Sequence, residues 1–143
     1  MLKILFLCTG NSCRSQMAEG WVNAMHKGKA RAFSAGVAPS RVDPRAVAVM
    51  KEAGIDISSH RAKHLDEFRN ESFDYVITVC DRAREACPVY WGGAKQIHAG
   101  FDDPPFLART APTEEEALGH YRRVRDEIKS FVENLPGLAN GAS

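Results

Sequence analysis

The chain has 143 residues, 44% of them hydrophobic and 26% charged, the size and make-up of one globular domain. That excludes a disordered chain, a collagen-like chain and a small scaffold that needs covalent staples. Lys plus Arg is 19 and Asp plus Glu is 18, a formal net charge of +1, so there is no global field to hold nucleic acid or an anionic membrane.

The first element is a strand over Leu2–Leu7, apolar at nearly every position, as in a strand covered on both faces. Its run is too short for a membrane span, which needs ~18 apolar residues, and it lacks the cleavage site of a signal peptide. The expected compartment is therefore the cytoplasm. Four cysteines do not make a disulfide framework there, and paired thiols are catalytic or redox-active.

A polar loop over Cys8–Ser15 follows. Met17, Ala18, Trp21, Val22 and Met25 then recur at helical spacing. Ala30–Ala35 is a second strand, closed by Gly36. Asp43-Pro44 reads as an N-cap with Pro at the first helical position. Val47, Met50 and Ala53 give that helix its apolar face, and Gly54 stops it. A short helix is expected around His64–Phe68, a strand over Tyr75–Val79, a weaker one over Lys95–His98, and a loop over Gly100–Pro105. The last helix opens on a Thr113/Glu116 capping box. Its stripe is Leu118, Tyr121, Val124, Ile128, Phe131 and Leu135, ended by Pro136-Gly137. One domain over residues 1–136 and a frayed tail over 137–143 are expected.

Strands alternating with helices predict an α/β domain: a parallel sheet with helices on both faces. Ligands bind such sheets beyond the carboxyl ends of the strands. Cys8, Cys80 and Asp102-Asp103 each follow a predicted strand and so project to one edge.

Cys8-Thr9-Gly10-Asn11-Ser12-Cys13-Arg14-Ser15 places a cysteine and an arginine around a loop between strand and helix. Successive N–H groups of such a loop form an anion nest, and the helix N-terminus adds positive potential. Arg14 can grip two oxygens of a tetrahedral oxyanion. Gly10 and Asn11 tolerate the left-handed backbone the loop demands. The same field favours the Cys8 thiolate, and Ser15 can donate to its sulfur, which makes Cys8 a nucleophile at the floor of an oxyanion cradle. Cys13 contributes its backbone to the cradle, with its side chain as packing.

Cys80 and Cys87 fit core packing, a metal pair or a redox pair. Zinc would need two more ligands, and His60 and His64 do not supply them, so no metal site is expected. As a helix, residues 80–87 would hold the two α-carbons ~10.5 Å apart, whereas a disulfide wants them within about 7 Å. A thiol switch that melts this segment on oxidation is the expectation. Asp103 precedes Pro104 in a loop reaching the cradle, where a carboxylic acid can protonate a leaving oxygen; its neighbour Asp102 is the second candidate.

Together these motifs resemble the thioredoxin-coupled arsenate reductases, built on the low-molecular-weight tyrosine phosphatase fold with four parallel strands. The resemblance rests on Cys8–Gly20, Ser34-Ala35-Gly36, Val79-Cys80, Cys87-Pro88, Gly100–Pro104 and Val124–Ile128. It implies that Cys8 attacks arsenate held by Thr9–Ser15 while Asp103 protonates the departing oxygen. Cys80 then attacks Cys8, releasing arsenite, and Cys87 moves the disulfide to Cys80–Cys87 for external thioredoxin to reduce. It implies no bound cofactor, a monomer, and arsenate and thioredoxin as partners. Some relatives bind potassium at positions matching Asn11, Glu19 and Ser34. The expected further acid is missing from His60-Arg61-Ala62-Lys63-His64, where the Lys63 ammonium can stand in for the cation. The competing readings are a low-molecular-weight tyrosine phosphatase using Cys8, Arg14 and Asp103, and a thiol redox sensor, with Tyr90 and Trp91 as a docking surface or core cover.

Overall fold

The apolar opening run becomes the centre of the sheet. In the computed structural model, which describes residues 1–81 and 92–135, strand β1 (Leu2–Cys8) lies between β2 (Ala30–Gly36) and β3 (Tyr75–Thr78), with β4 (Lys95–His98) outermost in the order β2-β1-β3-β4. All three pairings are parallel. Along β1 the side chains alternate between two cores. Ile4, Phe6 and Cys8 join one, and Leu5 and Leu7 the other, as the two-residue period of a strand requires.

The first core is roofed by helices α1 (Arg14–Met25), α2 (Pro44–Glu52) and α4 (Glu114–Glu133). The second holds Leu5, Leu7 and Val76 under Phe33, Phe68 and Phe73, whose rings meet edge to face at 5.6–5.9 Å, the arrangement their quadrupoles favour. α1 is buried nearly all round, beyond the apolar face its sequence marks. Trp21 Nε1 donates to Arg125 O at 3.1 Å, and the His26 ring meets Val132 O at 2.9 Å, tying α1 to α4.

Asp43 caps α2, accepting the Arg45 N–H at 2.8 Å, and Thr113 caps α4, accepting from Glu116 N–H at 3.1 Å. Both starts are as the sequence marks them. Four expectations need correction. β3 ends at Thr78, although Val79 N–H still reaches Leu7 O at 2.9 Å. The loop expected over Gly100–Pro105 ends in a helix, α3 (Pro104–Ala108), with Asp103 at its N-cap position. Asp103-Pro104 is the same helix-starting pair as Asp43-Pro44, and a second proline is tolerated in a first turn because its missing N–H has no partner there. The helix near His64 is a single 3-10 turn over Leu65–Phe68. In α4, Val132 is fully buried and Phe131 only partly so.

Cys87, Tyr90, Trp91, most of the proposed 80–87 switch and the 137–143 tail lie outside the described residues. Among the described residues no helix is long and apolar enough to cross a membrane.

Gly20 lets α1 approach Ile55 and Ile57 closely. A Cβ there would sit 2.8 Å from Ile57 Cγ2 and 3.2 Å from Ile55 Cγ2. Gly20→Val is therefore expected to cost about 1–3 kcal/mol, the usual range for overpacking, measured by urea denaturation.

Candidate active site

Chain neighbours β2 and β3 flank β1 on opposite sides, so the carboxyl end of β1 is a topological switch point, where open α/β sheets bind ligands. Cys8 is the last residue of β1. Its register partner is Gly36, at the end of β2. Leu7 pairs with Thr78, so Cys80 lies just beyond the end of the adjacent strand, where neighbouring chains run about 4.8 Å apart. Both cysteines are buried.

The loop after Cys8 is braced from outside by residues 38–43. Ala38, Ser40 and Asp43 donate their N–H groups to the carbonyls of Thr9, Gly10 and Ser12 at 2.9–3.1 Å. A trans peptide carries its N–H opposite its C=O, so pulling these carbonyls outward leaves the loop's N–H groups directed away from the brace, as an anion nest needs. The left-handed residue is Asn11, at φ 48°; Gly10, the other candidate, does not take positive φ. Asn is among the few side chains that tolerate it.

The Asn11 amide also sets the direction of a hydrogen-bond chain. Its Oδ1 accepts the Lys63 backbone N–H at 2.8 Å, a group that can only donate. That fixes the amide, so Nδ2 donates to Ser15 Oγ at 2.9 Å. The Ser15 hydroxyl is then left to face Cys8 Sγ, 2.9 Å away. Gln16, fully buried, donates to Asn11 Oδ1 at 3.0 Å, Asn11 O at 3.1 Å and Arg61 O at 2.9 Å. Its Oε1 is left for His60 Nδ1, at 3.0 Å.

Arg14, 4% exposed, donates Nη1 to Phe101 O at 3.2 Å and places Nη2 3.6 Å from Asp103 Oδ1. Asp102 turns the other way, onto Arg123 at 3.0 Å. Geometry thus separates the two aspartates: Asp103, the first candidate by sequence, lies beside Arg14, and Asp102 does not. Cys13 is the N-cap residue of α1, with no side-chain cap. Burial pushes its thiol well up, and the Asp43 carboxylate adds to this, so it stays protonated. His60 and His64 share no helix face. His60 turns to Gln16 and Glu19, while the His64 ring accepts from Asp66 N–H at 3.0 Å to cap the 3-10 turn.

Gln16, His60, Glu19, Lys63 and Gly36 form the support that sequence reasoning missed or read only in part. Gly36 is the sharpest omission. A Cβ on it would fall 2.4 Å from Thr9 O and 2.9 Å from both Asn11 N and Cys8 O. The cradle is moulded against bare backbone.

A family model described as low molecular weight phosphotyrosine protein phosphatase matches residues 3–139. The chain belongs to that family. Within it, the chain is 45% identical over 134 residues to an arsenate reductase of Halalkalibacterium halodurans and 46% identical over 134 residues to one of Bacillus subtilis, each match covering 91% of this chain and 94% of the relative. A solved arsenate reductase in its phosphate-binding state superposes with TM-score 0.76 at 34% identity, covering 94% of this chain and 95% of the other. A low molecular weight protein tyrosine phosphatase from T. tengcongensis gives TM-score 0.71 at 31% identity, covering 93% and 96%.

Two outcomes follow from this geometry. Gly36→Ala displaces the loop and is expected to lower kcat/KM by about 10²-fold, the effect of a ~1 Å misplacement at a reacting centre, in steady-state assays of folded protein. Ser15→Ala removes the hydroxyl that faces the Cys8 sulfur, a hydrogen bond worth about 1.5–3 kcal/mol to the thiolate form that reacts. Alkylation of Cys8 by iodoacetamide at pH 7 should slow at least tenfold, while mass spectrometry finds Cys13 unlabelled in both proteins.

Proposed function

We propose that the chain is an arsenate reductase that passes two electrons from thiols to arsenic through Cys8, Cys80 and Cys87. The observation that carries this reading is a free cysteine at the floor of an oxyanion cradle with a second cysteine just past the end of the adjacent strand. Its cradle and Arg14 serve a phosphatase equally well; the second cysteine is what a phosphatase does not need.

The Cys8 thiolate attacks arsenate held by Thr9–Ser15 and the Arg14 fork. A sulfur–arsenic bond forms, and an arsenate oxygen leaves as water after protonation by Asp103. The Cys80 thiolate then attacks the Cys8 sulfur. A Cys8–Cys80 disulfide forms, the sulfur–arsenic bond breaks, and its electron pair stays on arsenic, which departs as arsenite. Cys87 attacks Cys80, freeing Cys8 as thiolate and leaving a Cys80–Cys87 disulfide. A thioredoxin-type dithiol reduces that bond and completes the cycle. In the structure Cys80 is disulfide-bonded while Cys8 and Cys13 are free thiols, a state consistent with a disulfide already passed away from Cys8. The protein acts as a cytoplasmic monomer in this reading, with no resident cofactor.

The test couples the protein to thioredoxin, thioredoxin reductase and NADPH and follows NADPH loss with and without arsenate. Arsenate-dependent turnover should vanish in Cys8→Ser, Cys80→Ser and Cys87→Ser and fall about 10²–10⁴-fold in Asp103→Asn, the range for a general acid. Aryl-phosphate cleavage that survives Cys80→Ser, with no arsenate-dependent NADPH loss, would make it a phosphatase. Thiol cycling that ignores arsenate would make it a sensor.

A further inference from the structure

A charged cluster adjoins the cradle without taking part in the chemistry above. Glu19, on α1, has a side chain only 13% exposed. Its Oε1 accepts from Ser34 Oγ at 2.6 Å and lies 3.9 Å from Lys63 Nζ. Its Oε2 lies 3.5 Å from His60 Nδ1. The Lys63 side chain is equally enclosed, and Nζ also donates to Arg61 O at 2.9 Å. Burying a carboxylate is costly unless a cation and hydrogen bonds compensate it.

The resemblance raised a potassium ion at Asn11, Glu19 and Ser34, and the residues do not fit one. Asn11 Oδ1 already takes two N–H donors, from Lys63 and Gln16, which uses both of its lone pairs. Ser34 Oγ donates to Glu19 Oε1, and that same carboxylate oxygen faces the Lys63 ammonium, which stands where a cation would. Meanwhile the Lys63 main chain is pinned on both sides. Its N–H holds Asn11, and its carbonyl accepts the Gly36 N–H at 2.9 Å. The residue that neutralises Glu19 is therefore also the residue that orients the Asn11–Ser15–Cys8 chain.

We infer that Lys63 is a built-in cation and a positioning residue: its ammonium does the work of a bound monovalent metal, compensating Glu19 and so holding its own backbone against Asn11. A tethered ammonium is present at high effective concentration whatever the salt, so the cradle keeps its shape without potassium.

Thermal unfolding and the alkylation rate of Cys8 test this without any need for arsenate turnover, so the result stands apart from the reading of the substrate. Wild type should show the same Tm in potassium, sodium and choline chloride at equal ionic strength. Lys63→Met keeps the backbone N–H and the alkyl stem. It should lose about 5 °C in Tm, the size expected for a loss of one to two kcal/mol in a chain of this length, and alkylate Cys8 severalfold more slowly. Methylammonium chloride should recover part of both losses in Lys63→Ala where choline chloride does not. A rise of wild-type Tm specific to potassium, a Lys63→Met protein matching wild type in both measurements, or no recovery with methylammonium would each overturn the inference.

Discussion

The conformation of Asn11 is the constraint on which the site depends. Its backbone is left-handed at φ 48°, which for most side chains costs energy and must be enforced from outside. Enforcement comes through its amide and carbonyl, which bond Ser15, Gln16 and Lys63. With Asn11 so held, the loop can turn sharply enough to bring Ser15 onto Cys8, although they lie seven positions apart. Among the described residues no buried side-chain nitrogen or oxygen lacks a hydrogen-bond partner, so the polar interior behind the cradle is fully satisfied. Such networks hold one geometry when complete and are costly when broken.

The sheet supplies what the loop cannot: proximity among groups far apart in sequence. Parallel pairing of β1 with β2 and β3 brings Gly36 under Cys8 and Cys80 beside it. α3 then starts at Pro104 with Asp103 facing Arg14, while Asp102 is drawn off by Arg123 of α4. One loop thus divides two adjacent carboxylates between a site and a scaffold contact.

What the sequence made legible was local. The Leu2–Leu7 run, the Asp43-Pro44 helix start, the Thr113 cap and the Cys8–Ser15 loop all follow from neighbours within a few residues. The support of the loop was not legible, because its partners are distant. Lys63 meets Asn11 across 52 positions and His60 meets Gln16 across 44. Gln16 carries no apolar signal, yet it is buried, because carbonyls from Asn11 and Arg61 converge on it. Gly36 looked like a strand terminator; only the register shows that its missing side chain makes room for Thr9 and Asn11. A readable signal was passed over at Asp103-Pro104, which repeats the Asp43-Pro44 pattern.

The protonated, buried Cys13 bears on how the product leaves. Trivalent arsenic is a soft, thiophilic centre, and sulfur ligands bind it as thiolates. A second reactive thiol in the cradle beside Cys8 would offer arsenite a chelating pair and turn the enzyme into a trap for its own product. Cys13 is close enough for its charge state to feel Cys8, but burial and the Asp43 carboxylate oppose its ionisation, and only 3% of it is exposed. In the proposed relay Cys8 is already in a disulfide when arsenite departs, and with Cys13 held protonated the cradle offers the product no thiolate to rebind.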